Sequence, residues 1–512
     1  MKKIYKIFAV FTLTIGLNSC SDSYFDVNTP SNSVEFKDLA LKDMLAPTIY
    51  YTMRAQVTAA QDIDMFSQHI ASAFAVQGAD TQAESTTGQA VWNDIYLRSM
   101  ANLKQIETKA NGLNATYYKG IAHVLMAINL GLATDSWGDV PYSQAFQSNA
   151  NLTPTYDSQQ SIYTEINNLL TTGITELGST DASVFKPGAD DLIYQGNVSK
   201  WIKAAYTLKA RYAMHLSKKN GGATTATAVL ANLANGISSN AEDFQLVYNE
   251  RNLNPWYQSQ LGLNTGNLSY YISKYFISNM NGVNFPYAVP GAMDPRMLKI
   301  IDIRNYPNPT ASTTDPSVIA NYKGSINGTG GKYTITPSVA ANAKIGVDFF
   351  YSKATSPVVL ISFAEAQFLR AEAEFLAAGG TSTSVGTSAA ANTAYLAGIG
   401  ANMDKLGVTT TQKATYLTDA SVNLGVAGLR LKNIMREKFT ALFLTTESYN
   451  DQRRYNFSTD VFPGLTLPQG TPPANGGAWV RRLQYPVTEL NTNPVNYNLN
   501  KKSMITPMWW DL

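Results

Sequence analysis

Ile121, Leu125, Ile128 and Leu132 fall on one stripe of a single helix, and the same period of about 3.6 residues returns so often along the chain that it decides the fold class. From Phe36 to about Ala75 the apolar spacing is helical. A break is expected just before Pro47, because proline disfavours helix in the residue that precedes it. Trp92, Tyr96 and Leu103 open another helical run. Further helices are predicted near 157–178, 197–217, 223–235, 269–280, 360–378, 388–404 and 427–445, and short strands only around 333–336 and 481–486.

The Ala-rich run from Phe363 to Ala373 places small residues between bulky ones, which lets neighbouring helices approach closely. Such alternation suits tetratricopeptide-like helix pairs, although the full consensus of roughly 34 residues does not repeat. The expectation is an all-α body of tetratricopeptide-like helix pairs, with long irregular loops and a few short strands. The loops are 77–90, 136–156, 249–268, 281–345 and 456–480, dense in Gly, Pro, Asn, Thr and Tyr. Loops of this length in a compact protein are usually functional.

Composition narrows the partners. At 45% hydrophobic and 15% charged residues, the chain is neither a disordered tail nor a coiled coil. Its 39 Lys and Arg against 37 Asp and Glu leave no basic excess, so no nucleic acid is expected as a partner. The 29 tyrosines, with abundant Ser, Thr, Asn and Gln, suit neutral, hydroxyl-rich ligands.

The start of the chain reads as a lipoprotein signal peptide over residues 1–19. Lys2, Lys3 and Lys6 precede an apolar run from Ile7 to Leu17, which closes with Asn18-Ser19-Cys20. That run is shorter than the roughly 20 residues a spanning helix needs. Cys20 is the only cysteine, so no disulfide framework exists, and its place at a small-residue cleavage site marks it as the lipidation residue. Residues 20–34 read as lipid anchor and tether, and 35–512 as the folded domain. The acidic residues Asp22 and Asp26 behind Cys20 resemble a surface-export signal, which places the protein on the outer membrane, lipid-anchored and facing the exterior.

The search for catalytic groups returns little. His69, His123 and His215 are far apart, each within a helical pattern, and no Gly-x-Ser-x-Gly elbow occurs. Gly328-Thr329-Gly330-Gly331-Lys332 fails as a phosphate loop, since Tyr333 stands where Ser or Thr is required. Asp62 with Asp64, and Asp190 with Asp191, lack the ligand spacing of a calcium loop, so no cofactor is expected and a structural calcium ion stays open without support. Paired carboxylates for glycoside hydrolysis could be drawn from Glu365, Glu372, Glu374, Glu437, Glu447 and Asp451. Each has a basic residue within helical reach, so ion pairing is the expected role and no enzyme is predicted.

Several segments together resemble the SusD/RagB family of outer-membrane nutrient-binding lipoproteins. They are Thr134-Asp135-Ser136-Trp137-Gly138-Asp139 with Pro141-Tyr142, Asp191 to Asn197 running into Lys200-Trp201, and Asp294-Pro295-Arg296. Arg436-Glu437-Lys438-Phe439, Glu447 to Arg454, and Arg481-Arg482-Leu483-Gln484-Tyr485-Pro486 complete the series. The resemblance implies a lipid-anchored lid that captures glycans for a SusC-like, TonB-dependent outer-membrane barrel. A RagB-like lid for peptides is the alternative, and an anchored glycoside hydrolase a third.

Trp137, Trp201 and Tyr485 are expected to pack helices and loops, and Glu447, Asp451, Arg453 and Arg454 to fix a helix end by charge-assisted hydrogen bonds. The family's pocket is built from a loop after the first helices and from loops in the middle third. Here those positions hold Gln77, Asp80 and Gln82, then Trp256, Tyr257, Tyr270, Tyr271, Phe285 and Tyr287. These are the candidate ligand-binding residues. The aromatic ones among them could equally be core rings, and the lack of a Trp cluster between 77 and 90 leaves glycan and peptide both open.

Overall fold

The computed structural model describes residues 39–73, 78–83, 88–262, 269–305, 312, 314–331 and 342–512. The signal peptide, Cys20, the tether, Gln77 and the strand expected at 333–336 lie outside the described residues.

The fold is all-α. Helix α1 spans Leu41–Phe66 and runs through Pro47 without the expected break. Pro47 removes one donor near the start of the helix, and the burial of Met44, Leu45, Ile49 and Met53 on the same element outweighs that loss. The helix stops at Phe66, short of Ala75. Gln68 turns left-handed at φ 63°, and the chain enters a short strand, β1, over Ile70–Ser72.

After a π-helical turn at Asp94–Met100, α2 (Ala101–Gly112) leads to α3 (Thr116–Trp137). The apolar stripe predicted for α3 understates its burial, because nearly every residue from Gly120 to Trp137 is inside. α4 (Gln159–Gly178) and α5 (Val198–His215) pack against it in turn, their N-termini capped by the side chains of Ser158 and Asn197. Gly131 on α3 makes room for the Tyr212 side chain of α5, since a Cβ there would lie 2.0 Å from the Tyr212 hydroxyl. α6 (Gly222–Leu233) follows α5.

Two small antiparallel sheets bind distant parts of the chain. β2 (Phe244–Val247) pairs with β4 (Pro357–Ile361), and β1 pairs with β3 (Tyr270–Ile272) in the register Ile70↔Ile272, Ala71↔Tyr271 and Ser72↔Tyr270. Residues 269–280, expected to be one helix, are therefore β3 followed by α7 (Lys274–Met280), with Ser273 as the cap between them. The Ala-rich segment forms α8 (Phe363–Ala377), which pairs with α9 (Ala389–Lys405). Its alanines meet α5 and α6 in a satellite core of Ala210, Met214, Ala226, Val229, Leu233, Ala366, Leu369 and Ala373.

α10 (Thr410–Thr418) carries a capping box between Thr409 and Gln412. The helix expected over 427–445 is α11, shorter at both ends (Leu431–Ala441); a left-handed Leu444 follows, and α12 (Glu447–Arg454) lies beyond the expected range. No strand forms at 481–486. Its backbone is tied to other elements, with the Leu483 amide donating to Ser136 and the Arg481 amide to Met504.

Candidate binding surface

Charged side chains that could have served chemistry are locked together inside. Arg211 grips Glu365 through Nε and Nη2 at 2.7 and 2.6 Å. Arg454 and Lys438 hold Glu372 at 2.8 and 3.1 Å and also reach Asp451. Arg296 is clamped by Asp294 and Glu437, and the Tyr416 hydroxyl donates to the same Glu437. With Glu447 paired to Arg211 and His215, five of the six acids named above are ion-paired, but mostly to bases far away in sequence rather than at the helical reach expected, as Asp451 is to Arg454. On α12, Arg453 and Arg454 do more than fix a helix end. Arg453 donates to the carbonyls of Asp135 and Arg481, which joins α3 to the C-terminal segment.

Each of the three histidines is buried against at least one carboxylate. Burial pulls the imidazoles of His123 and His215 down, but flanking carboxylates outweigh it and hold both at about 9. The partners are Glu107 and Glu176 for His123, and Glu447 and Asp135 for His215. His69 lies 2.9 Å from Asp64 and 3.3 Å from the Ser448 hydroxyl, spacings like those of a nucleophile triad. Yet all three are sealed from solvent, and His69 Nε2 faces the Phe439 carbonyl at 3.0 Å. A nitrogen that donates there cannot accept the serine proton, so the trio is packing. Among the described residues, no group of three or more His, Cys, Asp or Glu is placed to hold a metal.

The motif aromatics serve the fold as well. The indole N–H groups of Trp137 and Trp201 donate to the Gln484 carbonyl and to Asp191 at 2.8 and 2.7 Å, and the Tyr485 hydroxyl donates to the Asp139 carbonyl.

Four segments converge on a junction of loops: 78–83, β3 with its neighbour Ser273, 325–331 and 465–480. Asp80 is its centre. One carboxylate oxygen accepts from the Gly328 amide at 2.7 Å and the other from Asn327 Nδ2 at 2.8 Å. Burial pushes the Asp80 carboxyl up to about 6, against the pull of these donors and of the Ser72 amide. Asn327 in turn accepts from the Ser273 hydroxyl and the Gln469 amide. Gln82, left-handed at φ 61°, accepts from the Val480 amide through Oε1 and from Asn475 through its carbonyl. Tyr271 packs beneath Gly331.

The structure therefore brings Asp80, Gln82, Tyr270 and Tyr271 together, with their polar groups or rings turned inward. Trp256 is 2% exposed, packs edge-on to Tyr270 at 6.1 Å, and borders an internal cavity of only about 30 Å³. Phe285 and Tyr287 stand apart from this junction, beneath the Arg436 guanidinium at 5.0 and 5.1 Å. Of the described candidates, Tyr257 and Tyr287 alone are partly exposed.

Sequence reasoning missed Trp479. Half-buried beside Val480 on the junction, its ring lies flat on Phe457, with centroids 4.6 Å apart and planes 6° from parallel. Two left-handed residues, Asn456 and Phe457, both at φ 53°, set the lower ring in place. A lone Trp after Gly476-Gly477, in a loop already flagged as irregular, was the available signal. Such a partly open indole is the part of the junction best suited to an apolar ligand face.

Comparison with known proteins agrees with this architecture. Residues 31–486 match the SusD-like family model described as "Starch-binding associating with outer membrane". Among solved structures, a SusD/RagB family protein from Bacteroides thetaiotaomicron superposes with a TM-score of 0.74 at 22% identity, covering 92% of this chain and 99% of that one. A chitin-binding SusD homolog from Flavobacterium johnsoniae gives 0.68 at 23% identity, covering 92% and 98%. A SusD homolog from Parabacteroides distasonis gives 0.71 at 20% identity, covering 92% and 97%. No curated protein matches the chain. At these identities the structural likeness speaks for the fold.

Proposed function

Because this chain belongs to the SusD-like family, we propose that it captures glycans at the outer membrane and passes them to a SusC-like, TonB-dependent barrel. The family match over 31–486 carries this reading, and the junction around Asp80 supplies a surface for it. Lipidation at Cys20 tethers the protein on the exterior side. Among the described residues no helix is long and apolar enough to cross a membrane, which fits attachment through acyl chains. The ion-paired acids favour binding over bond cleavage.

Trp479 is the ring we assign to the sugar. An indole face that loses on the order of 100 Å² of apolar surface gains roughly 2.5 kcal/mol. That is more than a tenfold change in affinity. Isothermal titration against starch-derived and chitin-derived oligosaccharides tests it, and Trp479→Ala is expected to weaken binding at least tenfold without lowering thermal stability much. Oligopeptide binding with no response to any glycan would replace this reading with the peptide lid. For the anchor, Cys20→Ala is expected to abolish labelling with a clickable fatty acid and to release the protein from the membrane fraction.

A further inference from the structure

A second open cleft lies away from the junction, where α11 begins. Its walls come from three segments: Ser382 and Thr383 between α8 and α9, Arg430 and Lys432 at the head of α11, and Thr459, Asp460 and Pro463 after α12. It encloses about 300 Å³. The walls are built rather than incidental. The Gly386 amide donates to the Leu429 carbonyl and the Thr387 amide to Val426, which fastens the α8–α9 loop to the approach of α11. Buried Val461 and Phe462 anchor the third wall, so Thr459 and Asp460 stand outward.

Two basic side chains line this cleft, Arg430 exposed and Lys432 partly exposed. Further along α11, Arg436, Glu437 and Lys438 are all engaged in buried networks. Neither Arg430 nor Lys432 forms an ion pair among the described residues, and Asp460 lines the same cleft. The first turn of α11 has no acidic residue, and Arg430 makes no side-chain cap. Two cations therefore stand at the positive end of a helix, where anions are favoured and further positive charge is not.

We propose that this cleft binds an oxyanion substituent, a carboxylate or a sulfate ester, carried on a sugar chain. Arg430 offers two parallel donors that match either group, Lys432 adds a point charge, and the hydroxyls of Ser382, Thr383 and Thr459 complete the donor set. Asp460 accepts from a sugar hydroxyl and repels a second anion. The saccharide carrier rests on the glycan-capture reading, whereas the preference for an anion does not.

The test is titration of the intact protein with an oligogalacturonide, a sulfated oligosaccharide, a neutral oligosaccharide of similar length and inorganic sulfate, at low and at physiological salt. We expect one of the acidic oligosaccharides to bind with an affinity that falls as salt rises. The double variant Arg430→Ala/Lys432→Ala should weaken it at least tenfold, while Lys42→Ala, which removes an exposed cation outside the cleft, leaves it unchanged. Full affinity in the double variant, or equal affinity for acidic and neutral chains, overturns the site. Inorganic sulfate binding as tightly as the oligosaccharides overturns the saccharide carrier. Loss of neutral-glycan binding in Trp479→Ala belongs to the junction, so the two proposals fail separately.

Discussion

Replacing Gly328 with alanine should open the loop junction, and its cost can be worked from geometry. Gly328 sits at φ +82°, and a Cβ built on it would lie 1.7 Å from the Gln469 carbonyl oxygen. Carbon and oxygen normally rest about 3.3 Å or more apart, so the loops must separate by roughly 1.5 Å. That is enough to break the bond from the Gln469 amide to the Asn327 carbonyl, now 3.1 Å, and to pull the Gly328 amide from Asp80. The first is worth about 1 kcal/mol, the second about 1.5 because its acceptor is charged, and the left-handed conformation adds about 1. The expected loss is about 3.5 kcal/mol. In a body of this size the unfolding entropy is about 1 kcal/mol/K, so Tm should fall by only 3 to 4 °C, near ~3.5 °C. Hydrogen exchange is the sharper assay, because protection at the Gly328 and Gln469 amides should collapse. Gly476→Ala is the control, since Gly476 is also left-handed at φ +57° but a Cβ there meets nothing within 4 Å. If Gly328→Ala and Gly476→Ala behave alike, the contact is not what holds the junction and the reasoning fails.

Two further outcomes follow from the interior charges. His123 and His215 are held at about 9, above the usual value near 6.5. Their stabilising share is complete below that lower value and is lost as pH rises through about 9. Urea midpoints should therefore drop on the alkaline side, and His123→Gln should flatten the drop; an equally steep fall in the variant would count against the assignment. Glu437→Gln leaves the buried Arg296 guanidinium with Asp294 as its one carboxylate partner and should cost roughly 3 to 5 kcal/mol, read from the shift of the denaturant midpoint.

Helices were legible where apolar spacing was long and regular, as in α3, α4, α5 and α8. The misreadings arose where packing overrode a local signal or a turn interrupted a plausible period. Pro47 was absorbed because the rest of α1 is anchored, and the helix expected over 427–445 proved shorter, α11 ending at Ala441 ahead of the left-handed Leu444. The strand at Tyr270–Ile272 was invisible because its partner, β1, lies about 200 residues away and local period carries no record of that pairing. For the candidate binding surface, the sequence placed Asp80 and Gln82 in one loop after α1, but not the direction of their side chains. Residue type alone could not separate Tyr271, which is inside, from Trp479, which is partly open. The roles of Trp137, Trp201 and the α12 arginines were readable because large rings and arginines embedded in helical patterns must find partners once buried.

Asp135 ties the last few residues of the chain to the first half of the fold. Its carboxylate receives the Tyr163 hydroxyl at 2.5 Å and the Trp510 indole N–H at 3.1 Å, while Asp511 is held by Arg481 and Lys218. In a chain that emerges from its N-terminal end, the long central helix waits for residue 510 before this acid is fully satisfied. Docking of the C-terminal segment therefore completes a contact that spans 375 residues. Trimming a handful of residues from its tail should consequently trap the whole molecule in a loosened state rather than merely fray one edge.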